Sequence, residues 1–332
     1  MSIRRPLKGF VALGAVGILI VACSGTAAPA PSSAAPSVAS VASAASVASL
    51  APATASPTPA PTATVKPTPT PPPTPSPTPT PVSLTLSSHV WWGGYAIDVS
   101  GATYDPLKRK LIITATFLNT GTGANDVSGL GTEVNVVWNS TYLQGYIPVG
   151  GVPAGGTVRA EIQLQPPAGF TPETAVLTFG QPTEHQATVP LNGSATAFDP
   201  PSDLAVTGTV KMGSYVTFNL TSGLVIPASC SGNLTKMKFG PIKKDEVSIV
   251  LRGTAANSEP RSDGYIDQGY VVAPDGTTSA ATPAVYMVVP SKATLRDIGL
   301  CFNVAAPAKG AYKLTLHESR SKVDGSLAFQ IP

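Results

Sequence analysis

The side chains that could do chemistry in this 332-residue sequence are few and widely spaced. The sequence has three histidines, His89, His185 and His317. None of them has the HxH, HxxxH or HExxH spacing that places two metal ligands on one strand or helix. Asp98, Asp105 and Asp126 offer oxygen atoms to calcium, but they lack the density of acidic residues found in a calcium loop. We therefore expect no catalysis, no metal and no cofactor.

A group of aromatic residues is the best sequence candidate for ligand binding. Its members are Trp91, Trp92, Tyr95, Trp138, Tyr142 and Tyr146. Adjacent tryptophans on a strand point to opposite sides, so only one of Trp91 and Trp92 can enter a core by regular pairing. The other could stack on a sugar ring or anchor a protein partner. Alternatively, it packs beneath a loop or against a second domain, since large aromatic side chains are mostly buried.

The first 23 residues have the layout of a secretory signal. Arg4, Arg5 and Lys8 precede an uncharged apolar run that ends at Ala22 and is followed by Cys23. The run has about 14 residues, whereas a helix needs roughly 20 to cross the hydrocarbon core of a bilayer. We therefore expect a cleaved signal over residues 1–22 instead of a permanent membrane span.

The last four residues of this segment, Ile20-Val21-Ala22-Cys23, resemble the lipobox of bacterial lipoproteins. The resemblance implies that the Cys23 thiol receives a diacylglycerol and that cleavage leaves Cys23 as the first residue of the mature chain. Two acyl chains anchor a protein stably, whereas one gives reversible binding. The expected location is the extracytoplasmic face of the cell membrane.

The remaining charges and cysteines agree with an exported protein. Three of the 21 Lys and Arg residues lie in the signal, which leaves 18 to balance the 18 Asp and Glu residues. No cluster of basic residues is present, so nucleic acid is not expected as a partner. With Cys23 lipidated, Cys230 and Cys301 remain as an even pair in an oxidising compartment, which favours a disulfide over two buried thiols.

Residues 23–82 are expected to form a disordered tether. Lys66 is the only charged residue between Ser24 and Val82, and this stretch has no aromatic side chain with which to form a core. Its second half, from Ser56 to Pro81, alternates Pro with Thr and favours extended polyproline II. At about 3.1 Å per residue it would act as a semi-rigid spacer of roughly 80 Å.

The rest of the chain is predicted to be all-β, with one domain over residues 83–200 and a second over 201–332. Leu111–Phe117 alternates apolar and polar residues, as a strand of a β-sandwich does. Glu246–Arg252 reads as a strand of the second domain, and frequent Gly and Pro turns separate such segments.

Short segments of both domains resemble secreted bacterial immunoglobulin-like sandwiches. They are Phe117–Gly121, Val152–Thr157, Phe302–Pro307 and Gly310–Tyr312. The chain departs from true immunoglobulin domains, which have a core Trp between the two cysteines, because all three tryptophans precede Cys230. The resemblance implies two tandem sandwiches that form a binding or structural module. The expected partner is an envelope protein; the alternative is a cell-wall polysaccharide.

Overall fold

A computed structural model describes residues 78–126, 133–148 and 150–332. The signal, Cys23 and the tether up to residue 77 lie outside the described residues, so what was expected of them stays a prediction. Where described, the chain is almost entirely antiparallel β-structure, which confirms the prediction that it is all-β. The one helical element in these ranges is a 3-10 helix at Pro172–Thr174. No helix among the described residues is long and apolar enough to cross a membrane.

The part of the described chain before residue 200 forms two four-stranded sheets and a short two-stranded ladder. Its strands are β1 (Val82–Trp92), β2 (Tyr95–Asp105), β3 (Lys110–Asn119), β4 (Asn125–Asp126), β5 (Val134–Trp138), β6 (Thr141–Gln144), β7 (Gly151–Val152), β8 (Thr157–Leu164), β9 (Val176–Phe179) and β10 (Ala187–Pro190). One sheet has the order β1-β2-β3-β8 and the other β10-β9-β5-β6, while β4 pairs with β7. One hydrophobic core takes side chains from both four-stranded sheets.

Strand β3 shows why this part of the sequence folds as a sandwich. Leu111, Ile113, Ala115 and Phe117 are fully buried, and the residues between them are partly exposed. This is the alternation predicted from the sequence, with the apolar face turned to the core. Each buried Leu, Ile or Phe contributes on the order of 1.5–3 kcal/mol relative to an exposed position.

Strands β1 and β2 are joined by the two-residue loop Gly93-Gly94. Trp92 pairs with Tyr95 at the end of the ladder, and both glycines have positive φ, +56° and +88°. Two consecutive positive φ angles are the geometry of the tight hairpin turn whose twist matches its strands. The turn fixes where the two tryptophans before it point.

The part of the chain after residue 200 contributes twelve further strands within the described ranges. They are β11 (Ser202–Leu204), β12 (Gly208–Met212), β13 (Val216–Ile226), β14 (Ser229–Asn233), β15 (Lys236–Gly240), β16 (Glu246–Asn257), β17 (Gly264–Val272), β18 (Thr278–Ala280), β19 (Met287–Val289), β20 (Thr294–Ala305), β21 (Gly310–Glu318) and β22 (Val323–Ile331). One sheet follows β11-β13-β16-β20 with β12 also on β13, and another follows β18-β17-β21-β22 with β19 also on β17. Strands β14 and β15 form a separate hairpin.

The two halves have separate hydrophobic cores. The fully packed part of the first core ends at Leu191, and the second begins at Leu204. A third, smaller cluster joins side chains from both halves, among them Trp91 and Phe239. We call the two halves the first and second sandwich and the third cluster the junction.

Candidate ligand-binding site

The two adjacent tryptophans point to opposite sides of β1, as expected, but both are buried. Trp92 is 2% exposed in the first core, where its Nε1 donates a hydrogen bond to the carbonyl oxygen of His185 at 2.8 Å. Trp91 is 6% exposed and packs in the junction. Neither ring has an open face on which a sugar could stack, so the packing alternative, against a second domain, is the one observed for Trp91.

The other members of the aromatic group are dispersed. Tyr95 is fully buried edge-on against Phe117, with ring centres 5.9 Å apart. Trp138 is half-buried against Phe170. Only Tyr142 and Tyr146 are exposed, at 48% and 64%. The six aromatic residues therefore do not share one exposed surface.

A hairpin of the second sandwich, β14–β15, forms one side of the junction. A disulfide joins Cys230 on β14 to Cys301 on β20, as the cysteine count predicted. Both cysteines are buried in the same cluster as Trp91 and Val250. The disulfide thus holds the hairpin over the outer face of the β13-β16-β20 sheet, where it meets the first sandwich.

Backbone hydrogen bonds reinforce this contact. The amides of Thr122 and Gly123 in the first sandwich donate to the carbonyl oxygen of Met237 at 3.0 and 2.9 Å. In return, the Met237 amide donates to Thr122 Oγ1 at 2.8 Å, and Asn125 Nδ2 donates to the Phe239 carbonyl oxygen at 2.9 Å. A Cβ atom on Gly94 would lie 2.4 Å from Phe239 Cβ, so the turn touches the hairpin at a position that only glycine fits.

His185 makes a second set of contacts between the sandwiches. Its amide donates to the Ile242 carbonyl oxygen at 3.1 Å. Its ring nitrogens lie 2.8 Å from Asp199 Oδ2 and 2.9 Å from the Glu246 carbonyl oxygen. The two sandwiches are therefore joined by directional bonds as well as by the apolar cluster.

A cavity of about 660 Å³ lies beside the hairpin, on the outer face of the β13-β16-β20 sheet. Its apolar wall consists of Leu234, Met237, Phe239 and Val250. Thr122 of the first sandwich closes one edge. Protein cavities of roughly 300–1,000 Å³ with an apolar wall and a few polar groups are typical of small-molecule sites.

Two β-bulges shape the opposite side of this cavity. On β13, Leu220 pairs with Gly253 and Ser222 pairs with Arg252, which leaves Thr221 as an extra residue. On β20, the two residues Arg296 and Asp297 lie opposite one residue of β16, Thr254. Asp297 has a positive φ of 56°, a conformation that is uncommon for a non-glycine residue. Bulges re-aim side chains and are over-represented beside functional sites.

The charged residues of the cavity are Arg252, Arg296 and Asp297. Arg252 is partly buried and Arg296 is exposed. Among the described residues, neither arginine side chain forms an ion pair or a hydrogen bond. The cavity therefore combines an apolar wall with two unpaired guanidinium groups and an excess of one positive charge.

The other titratable groups have structural partners. Each histidine contacts an aspartate through Nδ1: His89 with Asp98, His185 with Asp199 and His317 with Asp324. Asp105, one of the calcium candidates, instead accepts hydrogen bonds from the Lys108 amide and side chain. These bonds, with a smaller contribution from the Leu107 amide, lower the pKa of its carboxyl group. No group of three or more potential ligands that could hold a metal ion occurs among the described residues.

One SxxK spacing, Ser319 to Lys322, has the form of a serine-lysine acyl-transfer motif. It occupies the turn between β21 and β22, and the Ser319 hydroxyl donates weakly to the Tyr265 carbonyl oxygen at 3.5 Å. No hydrogen bond joins Ser319 to Lys322 in the described chain. The segment forms the turn that joins the two strands.

Comparison with known proteins yields no relative from which a function could be transferred: no protein-family model matches the chain, and no curated protein matches it significantly.

Proposed function

We propose that this protein is a non-catalytic binding protein of the cell envelope, anchored through a diacylglycerol on Cys23. The Pro/Thr-rich spacer carries two immunoglobulin-like sandwiches away from the membrane, where they meet their ligand as one body. Support for the anchor comes from the lipobox sequence. Support for binding comes from the cavity beside the junction.

The observation that carries the proposal is that the hairpin fixes both the junction and one wall of the cavity. The cavity lies between secondary-structure elements that are bonded to one another through the disulfide and the Met237 hydrogen bonds. A site held by such elements is preorganised, and less free energy is lost in ordering it when a ligand binds.

Site-specific crosslinking in intact cells tests binding at this place. The full-length lipidated protein would carry a photo-crosslinking amino acid at Thr294, an exposed residue of the cavity, or at Leu107, which is 64% exposed. Leu107 lies just beyond the end of β2 that is farthest from the junction, which makes it a matched control. We expect products at Thr294 that are absent at Leu107, and identical products at both positions would contradict the proposal.

The anchor has its own test. Cys23→Ala removes the thiol that the lipobox resemblance assigns to diacylglycerol. Metabolic labelling with a fatty-acid probe should then give no labelled protein. Labelling equal to that of the unaltered chain would refute the anchor while leaving the cavity proposal standing.

A wall polysaccharide remains the second candidate because two tyrosines are exposed. Tyr142 and Tyr146 lie four positions apart on an extended stretch that includes β6. Exposed aromatic rings offer apolar faces with polar tips, which suit sugar rings. The polysaccharide candidate is tested by titration with peptidoglycan and wall glycan fragments. The titration compares the parent protein with the double variant Tyr142→Ala/Tyr146→Ala. The candidate requires binding by the parent that the double variant loses.

A further inference from the structure

We infer that the cavity beside the β14–β15 hairpin recognises a soluble amphiphile that carries one carboxylate or phosphate group on an apolar body. The inference deepens the proposed binding function and rests on it. The inference is more specific than the proposed function. It assigns the anionic group of the ligand to one side of the cavity and the apolar body to the other side.

The anionic group is assigned to the side formed by the bulges. Arg252 projects from β16 and Arg296 from the bulge in β20, and both line the cavity without an ion pair among the described residues. A guanidinium group presents a planar set of donors that matches carboxylate and phosphate oxygens. Asp297 carries the one opposing charge on this side and leaves the balance positive. An anion is therefore favoured over a neutral or cationic group.

Hydroxyl groups extend the polar side. Ser222, Thr254 and Thr294 also line the cavity. Ser222 lies on β13, Thr254 on β16 and Thr294 on β20. Arg252 pairs with Ser222 and Ala256 pairs with Thr294. Because Arg252, Thr254 and Ala256 lie on one face of β16, all three hydroxyl residues share the outer face of the sheet. Ser and Thr hydroxyls donate to anionic oxygens as readily as they accept. They would complete the shell around a group held by the two arginines.

The apolar body is assigned to the hairpin side. Met237 and Phe239 alternate with the exposed residues Lys236 and Lys238, so the hairpin turns its apolar face inward. Met237 reaches far across the sheet: a Cβ atom on Gly299 would lie 3.0 Å from its terminal methyl group. Methionine is flexible and adapts its shape to different apolar partners. This wall suits an aliphatic or aromatic body and does not select a single structure.

The methionines also provide a local reporter for the test. Apart from Met1 in the signal, the chain has Met212, Met237 and Met287. Met237 lines the cavity, whereas Met212 and Met287 belong to the second core. In a soluble form that lacks the signal and Cys23, residues 24–332, exported behind a cleavable signal, methyl-labelled methionine gives one resonance at the cavity and two internal controls.

The experiment titrates this protein with octanoate, octyl phosphate and octanol, and with acetate and inorganic phosphate as head groups alone. We expect both anionic amphiphiles to shift the Met237 methyl resonance and to leave those of Met212 and Met287 in place. Octanol and the isolated head groups should bind about tenfold more weakly or worse, because each contributes only one of the two sets of contacts. Equal affinity for octanol and octanoate would overturn the anionic assignment.

Arginine variants locate the anion. Arg252→Met/Arg296→Met retains side-chain bulk and removes both charges, and it should lower octanoate affinity by about tenfold or more. Arg159→Met on β8, an exposed arginine of the first sandwich, is the matched control and should bind as the parent does. Arg296→Met alone, at an exposed position, keeps the test valid if the double variant fails to fold. Unchanged octanoate affinity in Arg296→Met and the double variant would refute the inference.

The results separate this inference from the proposed function. If crosslinks form specifically at Thr294 but anionic amphiphiles are not preferred, the proposed binding function stands and the inferred ligand class is rejected. Crosslinks that do not differ between Thr294 and Leu107 would reject the binding site itself.

Discussion

Strands β3 and β16 occupy central positions in the two sandwiches, yet their burial differs. Along β3, buried and partly exposed residues alternate strictly, because one face meets the core and the other meets solvent. Along β16, the five residues from Val247 to Leu251 are all buried. The inward residues Ile249 and Leu251 belong to the second core, whereas Val250, on the other face, belongs to the junction.

The difference between the two strands accounts for the position of the cavity. A strand that is covered on both faces consists almost entirely of buried residues. Strand β16 has this property only up to Leu251, where the cover provided by the hairpin ends. Beyond that point Arg252 and Thr254 are only partly buried, and the same face becomes the floor of the cavity. The cavity is thus the uncovered end of a face whose other end is packed.

The largest expected effect compares the two tryptophans that precede the Gly93-Gly94 turn. Trp92→Ala removes a side chain from the first core and should lower the free energy of unfolding by about 3–5 kcal/mol. Trp91→Ala should cost less, about 1–3 kcal/mol, because it affects the junction and leaves both cores intact. Urea unfolding followed by circular dichroism measures both values, and a larger loss for Trp91→Ala would contradict the assignment.

Removal of the disulfide should affect the second sandwich more than the first. Cys230 and Cys301 are separated by 71 residues, and a loop of that length corresponds to about 4 kcal/mol in the chain-entropy model. All three tryptophans lie in the first sandwich, so their fluorescence reports on it and on the junction. In Cys230→Ser/Cys301→Ser, unfolding by circular dichroism should move to lower urea concentration, ahead of most of the fluorescence change. Coincident transitions identical to those of the parent would refute this prediction.

The free energy of unfolding should also depend on pH through Glu318 of the second sandwich. Burial alone would raise the pKa of Glu318, but hydrogen bonds from the amides of Tyr265, Arg320 and Ser321 and from the Ser321 hydroxyl outweigh it and lower the pKa. A lowered folded-state pKa gives stability that is present above the ordinary value of 4.5 and is lost as the pH falls through the folded value. Glu318→Gln should cost about 1–3 kcal/mol at pH 7.

The pH profile distinguishes this charge effect from simple loss of packing. The stability difference between parent and Glu318→Gln should shrink as the pH falls below about 4.5, where the parent carboxylate becomes protonated. Glu173→Gln, an exposed residue of the 3-10 helix, serves as the control and should stay close to the parent. A difference that does not vary with pH would contradict the role given to the carboxylate.

The smallest effect is expected at Glu184, which forms a β-bridge with Lys243 of the second sandwich. Burial, followed by the neighbouring charge of Glu133, raises the pKa of Glu184, although a hydrogen bond from the Gln181 amide opposes the shift. A raised folded-state pKa means that stability falls as the pH rises from about 4.5 through the folded value. Glu184→Gln should therefore gain a few tenths of a kcal/mol at neutral pH. Thermal melts at pH 4 and pH 7 measure this gain, which should appear only at the higher pH.

The sequence predicted the strands whose environment is simple. The alternation in Leu111–Phe117 and the apolar run in Glu246–Arg252 each identified a strand, because local burial leaves a local pattern. The odd number of cysteines, with one assigned to the lipid, was enough to pair Cys230 with Cys301. The Gly93-Gly94 pair between two apolar stretches is also a hairpin signal in the sequence.

The site depends on contacts that no local pattern records. The hairpin has only Met237 and Phe239 facing inward on β15, and its partners in the first sandwich lie more than 100 positions away. Arg252 and Arg296 line the same cavity because β16 and β20 are adjacent and because the bulge in β20 places an extra residue there. Strand order and bulges are set by the tertiary fold, so the cavity could not be read from residue types and spacing.

The position of β1 has a mechanical consequence. This strand starts at Val82, where the predicted tether ends, and runs directly to Trp91 at the junction. Under the proposed function, a pull between the lipid anchor and a ligand in the cavity would load β1 along its length. The hydrogen bonds to β2 lie perpendicular to the strand, so such a pull would shear many of them at once instead of opening them one at a time. The proposed anchor would thus be attached to the fold in the direction in which β1 resists tension best.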